Sequence, residues 1–219
     1  MDYQPLIFQL LQGNPLIALA FVAGLVGAIT IHEFAHAYLA YRLGDPTAKL
    51  AGRLTLNPAS HLDPIGTLAL LLVGFGWGKP TPFDPFNLRN IKRDSALISV
   101  AGALANFLAA LVLATPYLIA YFTGNLSLTL VGAYQIISIV IWLNLILGVF
   151  NLIPIAPLDG FKVLAGLLPQ NWYRDFMQTE RYGIFILLLL LVTGTVGQIL
   201  FPIVSSLSSL LIPGLSTPF

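Results

Sequence analysis

The sequence predicts an all-α polytopic membrane protein with four or five long transmembrane helices, a short re-entrant element and a candidate membrane-embedded β-hairpin. Three observations predict it. Of 219 residues, 57% are hydrophobic and 9% are charged, against roughly 25% charged in a soluble domain. Mean hydropathy is +0.86. The apolar residues also gather into runs long enough to cross a bilayer, which takes roughly 20 residues. So few charges cannot cover a water-facing surface or keep a chain disordered. The formal net charge of +1 offers no basic face, so the partners include no nucleic acid. With no cysteine in the chain, disulfides, iron–sulfur clusters and thiol catalysis are excluded, and any metal must be held by His, Asp or Glu.

The elements follow in order. Residues 1–13 read as a short amphipathic lead-in; lacking a basic n-region, they do not read as a signal peptide. The run 16–43 is apolar up to Ile31, then carries His32, Glu33 and His36, and is ended by Gly44, Asp45 and Pro46. The run 65–77 contains three glycines and is short for a span. The run 95–122 closes on the turn Thr123-Gly124-Asn125, and 130–153 leads into the proline-rich stretch 154–160. The last run, 183–212, is interrupted by Gly194, Gly197 and Pro202 and reads as one kinked span or a span plus a surface segment. All of 1–219 forms one domain, with a core at about 16–165 and a C-terminal helical segment at about 183–212.

Charge sets the orientation. Cytoplasmic loops are enriched in Lys and Arg. If 65–77 does not cross, all ten basic residues fall on one face, within 42–94 and 160–181. If it does cross, Lys79, Arg89, Lys92 and Arg93 are stranded on the other. The run 65–77 is therefore read as re-entrant or interfacial, and the proline-punctuated segment that follows it as extended.

Ionisable groups inside apolar spans are costly and mark function. His32-Glu33-Phe34-Ala35-His36 is the pattern His-Glu-x-x-His. Residues four apart share a helical face, so both imidazoles can hold one metal ion, with Glu33 within reach of a water on it. A catalytic zinc takes three protein ligands plus water. The third comes from Asp159, at the end of the 130–153 span, or from His61. A metal at this site would acidify a water and polarise a carbonyl, with Glu33 as the general base. The chemistry predicted is metal-assisted hydrolysis of a peptide bond. A metal transporter would use the same His and Asp residues, and Glu33 is what separates the two classes.

Together these residues resemble the site-2 protease family of intramembrane zinc metalloproteases (peptidase family M50), in its compact form without PDZ or CBS domains. His32–His36 matches the family's first motif. Residues 151–160, NLIPIAPLDG, match the second, Asn-x-x-Pro-x-x-Pro-Leu-Asp-Gly. The resemblance implies one Zn²⁺ per chain, with Asp159 as third ligand beside His32 and His36. It also implies transmembrane protein substrates cut within the lipid bilayer (regulated intramembrane proteolysis). The chain would then be an integral protein of a prokaryotic plasma membrane, its active site towards the cytoplasmic side. Residues 99–106 are similar to a family segment written Ala-Gly-Pro-x-x-Asn, with Ala103 in place of the proline. Asn106 binds substrate or makes a polar contact between helices. Asn151 braces substrate, Asn144 joins helices, and His61 either binds substrate or, with Asp63, shapes its loop. An unwound substrate needs backbone partners, and a hairpin at 50–56 or 77–83 would supply them.

Overall fold

The computed structural model describes residues 15–73 and 76–215; the lead-in 1–13 lies outside them. Three long helices form the body: α1 (Pro15–Arg42), α4 (Ile91–Phe122) and α5 (Leu128–Asn151), which pack on one another pairwise. Between α1 and α4 lie α2 (Thr47–Leu50) and α3 (Pro64–Val73). After α5 come α6 (Asp159–Leu167), packed on α4, then α7 (Gln170–Gln178), α8 (Glu180–Val192) and α9 (Thr195–Leu211), which returns onto α5.

Length and composition make α1, α4 and α5 membrane spans. The shortest, α5, has 24 residues, or about 36 Å at 1.5 Å per residue, enough for a hydrocarbon core of roughly 30 Å. Their ends are capped as helix ends should be: Asn90 accepts from the Arg93 N–H and Ser127 from the Leu130 N–H. The expected fourth span is broken. Helices α8 and α9 pass the length test only together, and they meet at 76°. Gly194, at φ 73°, makes the bend because it adopts the left-handed region at no steric cost. Pro202, also expected as an interruption, lies within α9. The described residues thus hold three unbroken spans and one bent pair, where four or five long helices were expected.

Helix α3 has 10 residues, about 15 Å, and cannot cross. Its two flanks lie side by side: Leu62 and Gly78 form an isolated antiparallel bridge, and the Lys79 N–H donates to the His61 carbonyl at 2.8 Å. The chain therefore enters and leaves this excursion at the same place.

No strand forms among the described residues, so the expected hairpin is absent from them. Residues 47–50 are helical. In 79–85, Pro80, Pro82 and Pro85 remove ladder donors. The remaining N–H between the first two, that of Thr81, donates to Glu33 Oε2 at 2.8 Å. The Lys79 and Pro80 carbonyls both accept from Arg53 Nη2, at 3.1 and 3.0 Å. The backbone of this segment is already engaged.

The apolar core lies where α4, α5 and α9 meet, around Ala110, Ala114, Ile141, Leu145, Leu200 and Val204. Polar groups at that depth need partners, since a bilayer supplies none. The Tyr134 hydroxyl donates to the Leu113 carbonyl at 2.7 Å, in the turn that Pro116 interrupts.

Asp45 ties together the loops that follow α1 and precede α4. Its buried carboxylate accepts from the Thr47 N–H and hydroxyl, the Asp84 N–H and the Asn87 amide. Burial pushes this carboxyl up, but the hydrogen bonds to its ionised form outweigh that and hold it below the usual carboxylate range. A depressed value in the folded state means stability that is present above the unfolded value of about 3.9 and lost as pH falls through the folded one. Asp45→Ala should cost about 3 kcal/mol by leaving buried donors unpaired. Asp45→Asn should flatten the acid limb of the thermal midpoint measured against pH in detergent.

Candidate metal centre

His32 and His36 stand one turn apart on the buried face of α1, with ring centroids 4.6 Å apart and planes at 87°. Segment 152–158, which contains the cis Ala156–Pro157 bond, brings in Asp159 as the first residue of α6. Here the Asp-Gly pair starts a helix, where an acidic residue is favoured by the helix dipole. The three side chains converge. His32 Nε2 lies 3.0 Å from Asp159 Oδ2 and 3.0 Å from His36 Nε2, and His36 Nε2 lies 3.1 Å from Asp159 Oδ2.

The outer partners determine what those three atoms can be. His36 Nδ1 faces the Ile98 carbonyl at 2.7 Å, which only accepts, so Nδ1 carries the proton. Asn106 Nδ2 donates to the Ala28 carbonyl and to Asn144 Oδ1, each at 3.0 Å, which turns Asn106 Oδ1 towards His32 Nδ1 at 2.8 Å. His32 Nδ1 is therefore also the donor. Both Nε2 atoms are left with bare lone pairs, aimed at each other and at a carboxylate oxygen. No proton on the neutral rings separates them, which is the chemistry of a metal donor set. Zinc at about 2.0–2.1 Å from tetrahedral ligands puts those ligands about 3.3 Å apart, so the triangle fits a zinc ion with a slight expansion and leaves a fourth position open.

Glu33 points elsewhere on α1. Its Oε2 is held by the Thr81 N–H, and its own backbone carbonyl accepts from the Thr81 hydroxyl at 3.1 Å. The carboxylate lines a cavity of about 640 Å³ together with His32, His36, Asp159 and Asn151. Asn151, the last residue of α5, donates Nδ2 to the Leu147 carbonyl at 2.9 Å.

The other residues singled out in the sequence are placed away from the cavity. Asn106 is fully buried behind His32, and Asn144 behind Asn106. His61 is fully buried in its own loop, where Nε2 donates to the Thr55 carbonyl at 2.7 Å and Nδ1 has no partner among the described residues. Of the two third-ligand candidates, Asp159 joins the histidine pair.

Two participants carried no sequence signal strong enough to name them, and a third, Gly102, was read only as part of the 99–106 segment. The Ile98 carbonyl is backbone and invisible to a motif. Thr81 is marked only by lying between two prolines. Gly102 sits one turn before Asn106 on α4, and a Cβ there would come within 2.6 Å of both His32 Cε1 and His36 Nε2. The ring pair fits against α4 because that position has no side chain.

A spanning three-helix body that carries a converging His-His-Asp set beside a carboxylate facing the same cavity defines a membrane metallopeptidase. The chain belongs to peptidase family M50, whose model matches residues 20–193. It is 40% identical over 187 residues to the protein named zinc metalloprotease YwhC of Bacillus subtilis, covering 84% of this chain and 85% of that one. It is 28% identical over 195 residues to Rip2 of Mycolicibacterium smegmatis, also named as a zinc metalloprotease, covering 84% and 70%. The archaeal zinc metalloprotease MJ0392 of Methanocaldococcus jannaschii is 27% identical over 146 residues, 66% of this chain and 33% of that one. No solved structure matches. The protein is a zinc metalloendopeptidase and an integral membrane protein.

The hydrogen bonds behind the ligands predict their own tests. Asn106→Ala should weaken zinc binding about 10- to 100-fold, read as zinc retained against a graded series of chelators. Gly102→Ala should drive the two rings apart and leave the purified protein well below one zinc per chain by elemental analysis.

Proposed function

We propose that this enzyme cuts transmembrane protein substrates within the bilayer, using one zinc ion held by His32, His36 and Asp159, with Glu33 as general base. The observation that supports this most directly is that Glu33 and the ligand triangle face one cavity from inside a spanning helix. A zinc ion at the triangle supplies Lewis acidity for the scissile carbonyl and a water whose pKa is lowered towards about 7. Because the Thr81 N–H holds Oε2, Glu33 takes the proton on Oε1. The same carboxyl then returns the proton to the leaving amine. Asn151 has Nδ2 anchored on α5, which leaves Oδ1 to accept a substrate N–H. For His61 and Asn106, both buried and engaged, we propose positioning roles: His61 shapes the 55–61 loop and Asn106 orients His32.

The side-by-side flanks of α3 support keeping 42–94 on one face of the membrane, so the basic residues gather there. The active site then opens towards the cytoplasm, and bacterial and archaeal relatives support a prokaryotic plasma membrane as its location.

Glu33→Gln is the test. Wild type and variant should each bind about one zinc, and cleavage of a transmembrane peptide in detergent should fall at least about 100-fold in the variant. Cleavage at the wild-type rate by a zinc-loaded Glu33→Gln protein would remove Glu33 from the mechanism.

A further inference from the structure

Lys162 stands three residues after Asp159 on α6, so the two side chains share a face about 5–6 Å apart at Cβ. It lines two cavities. One is the cavity of Glu33 and the metal ligands. The other, about 480 Å³, opens beside α7 and is also lined by Lys92, Tyr173 and Glu180. Pro80, Thr81, Phe83 and Lys162 line both, so these residues lie where the two cavities adjoin.

The two lysines are held differently. Lys92 donates to the Leu168 carbonyl and lies 5.8 Å from the Tyr173 ring, which ties α4 to the α6–α7 junction. The Lys162 ammonium has the Phe83 ring beneath it at 4.5 Å, and no carboxylate or carbonyl pairs with it among the described residues. It is half-buried. A partly desolvated ammonium without an anion forfeits hydration that a cation–π contact only partly restores. The acidic groups nearby are committed, Glu33 to Thr81 and Asp159 to the histidines. The other carboxylate of the outer cavity, Glu180, is exposed at the start of α8 and makes no ion pair among the described residues. Lys162 therefore offers a positive charge, where the two cavities adjoin, to whatever occupies them.

We propose that Lys162 is a specificity-determining residue that selects substrates carrying an acidic side chain two to four residues from the scissile bond, on the side leading out to the α7 cavity. The proposal rests on the protease reading above. An extended peptide rises about 3.3 Å per residue, so a residue two to four positions from a bond held beside Asp159 comes within reach of the Lys162 ammonium. The carboxylate would replace lost hydration at the ammonium, and the Phe83 ring would keep the pair partly out of water.

The experiment uses the full-length, zinc-loaded protein in detergent with Glu33→Gln to prevent turnover. Labelled transmembrane peptides carry Glu or Gln at each position of the cytoplasmic half in turn, and affinity is read by fluorescence anisotropy. At least one Glu position should bind about fivefold tighter than its Gln counterpart, and the ratio should fall towards one as salt is raised. Lys162→Arg should keep the preference, Lys162→Gln should abolish it, and Lys162→Glu should favour Lys at the same position. No Glu position binding tighter, a ratio indifferent to salt, or a preference surviving in Lys162→Gln overturns the proposal. The Glu scan and the salt series need no Lys162 variant, so an absent or salt-indifferent preference overturns the proposal even if a variant fails to fold, and Lys162→Arg against Lys162→Gln separates Lys162 from Lys92. Cleavage by the protein with Glu33 restored is scored separately. Charge-selective binding without cleavage sinks the protease reading and leaves Lys162 as a recognition residue, whereas cleavage with no charge preference sinks only the proposal about Lys162.

Discussion

A single hydrogen-bond relay joins the three long helices, and the metal centre depends on it. Asn144 on α5 anchors to the Val140 carbonyl and offers Oδ1 to Asn106 on α4; Asn106 offers its own Oδ1 to His32 on α1. Every link lies buried in a body that spans the membrane, where an unpaired amide costs several kcal/mol. That cost gives the relay its direction. Asn106 Nδ2 is used up by the Ala28 carbonyl and by Asn144, so its oxygen must face the imidazole. The tautomer of His32, and hence the lone pair on Nε2, is set by a fully buried amide on the neighbouring helix.

Steric fit completes what the relay begins. The two rings need space against α4, and Gly102 provides it one turn from Asn106. The Ile98 carbonyl, one turn further towards the N-terminus of the same helix, fixes His36. Helix α4 therefore presents three successive turns to the site: a backbone acceptor, an absent side chain and an amide. Asp159 enters on α6, itself packed on α4, at a helix start that favours its charge.

The proline-rich segment 79–85 plays a second organising part. Its prolines leave few backbone donors, and two of those that remain are spent on positioning. The Thr81 N–H holds Glu33, the Asp84 N–H holds Asp45 with help from the Asn87 side chain just beyond, and Arg53 grips the two carbonyls just before Thr81. An extended segment this committed behaves as a brace for Glu33, and it also explains why the region forms no ladder. In the same way the bend at Gly194 turns one apolar run into two short helices, because a left-handed glycine redirects the chain more sharply than Pro202 does within α9.

Much of this was legible in the sequence. Composition and apolar run length determined a helical membrane protein. The i, i+4 spacing of His32 and His36 determined a shared ligand face, and the absence of cysteine restricted the third ligand to a short list. These are local properties, carried by helical periodicity and by the cost of charge in lipid. The tertiary structure decided the rest. It brought Asp159 to the histidines and left His61 in its own loop, placed Asn106 behind a ligand, spent Thr81 on Glu33 and reduced the spans to three and a bent pair. The meetings of Asp159 with the histidines, of Asn106 with His32 and of Thr81 with Glu33 join side chains and backbone groups far apart in the chain. No periodicity encodes such meetings; they follow from the cost of leaving buried polar groups without partners once the helices have packed.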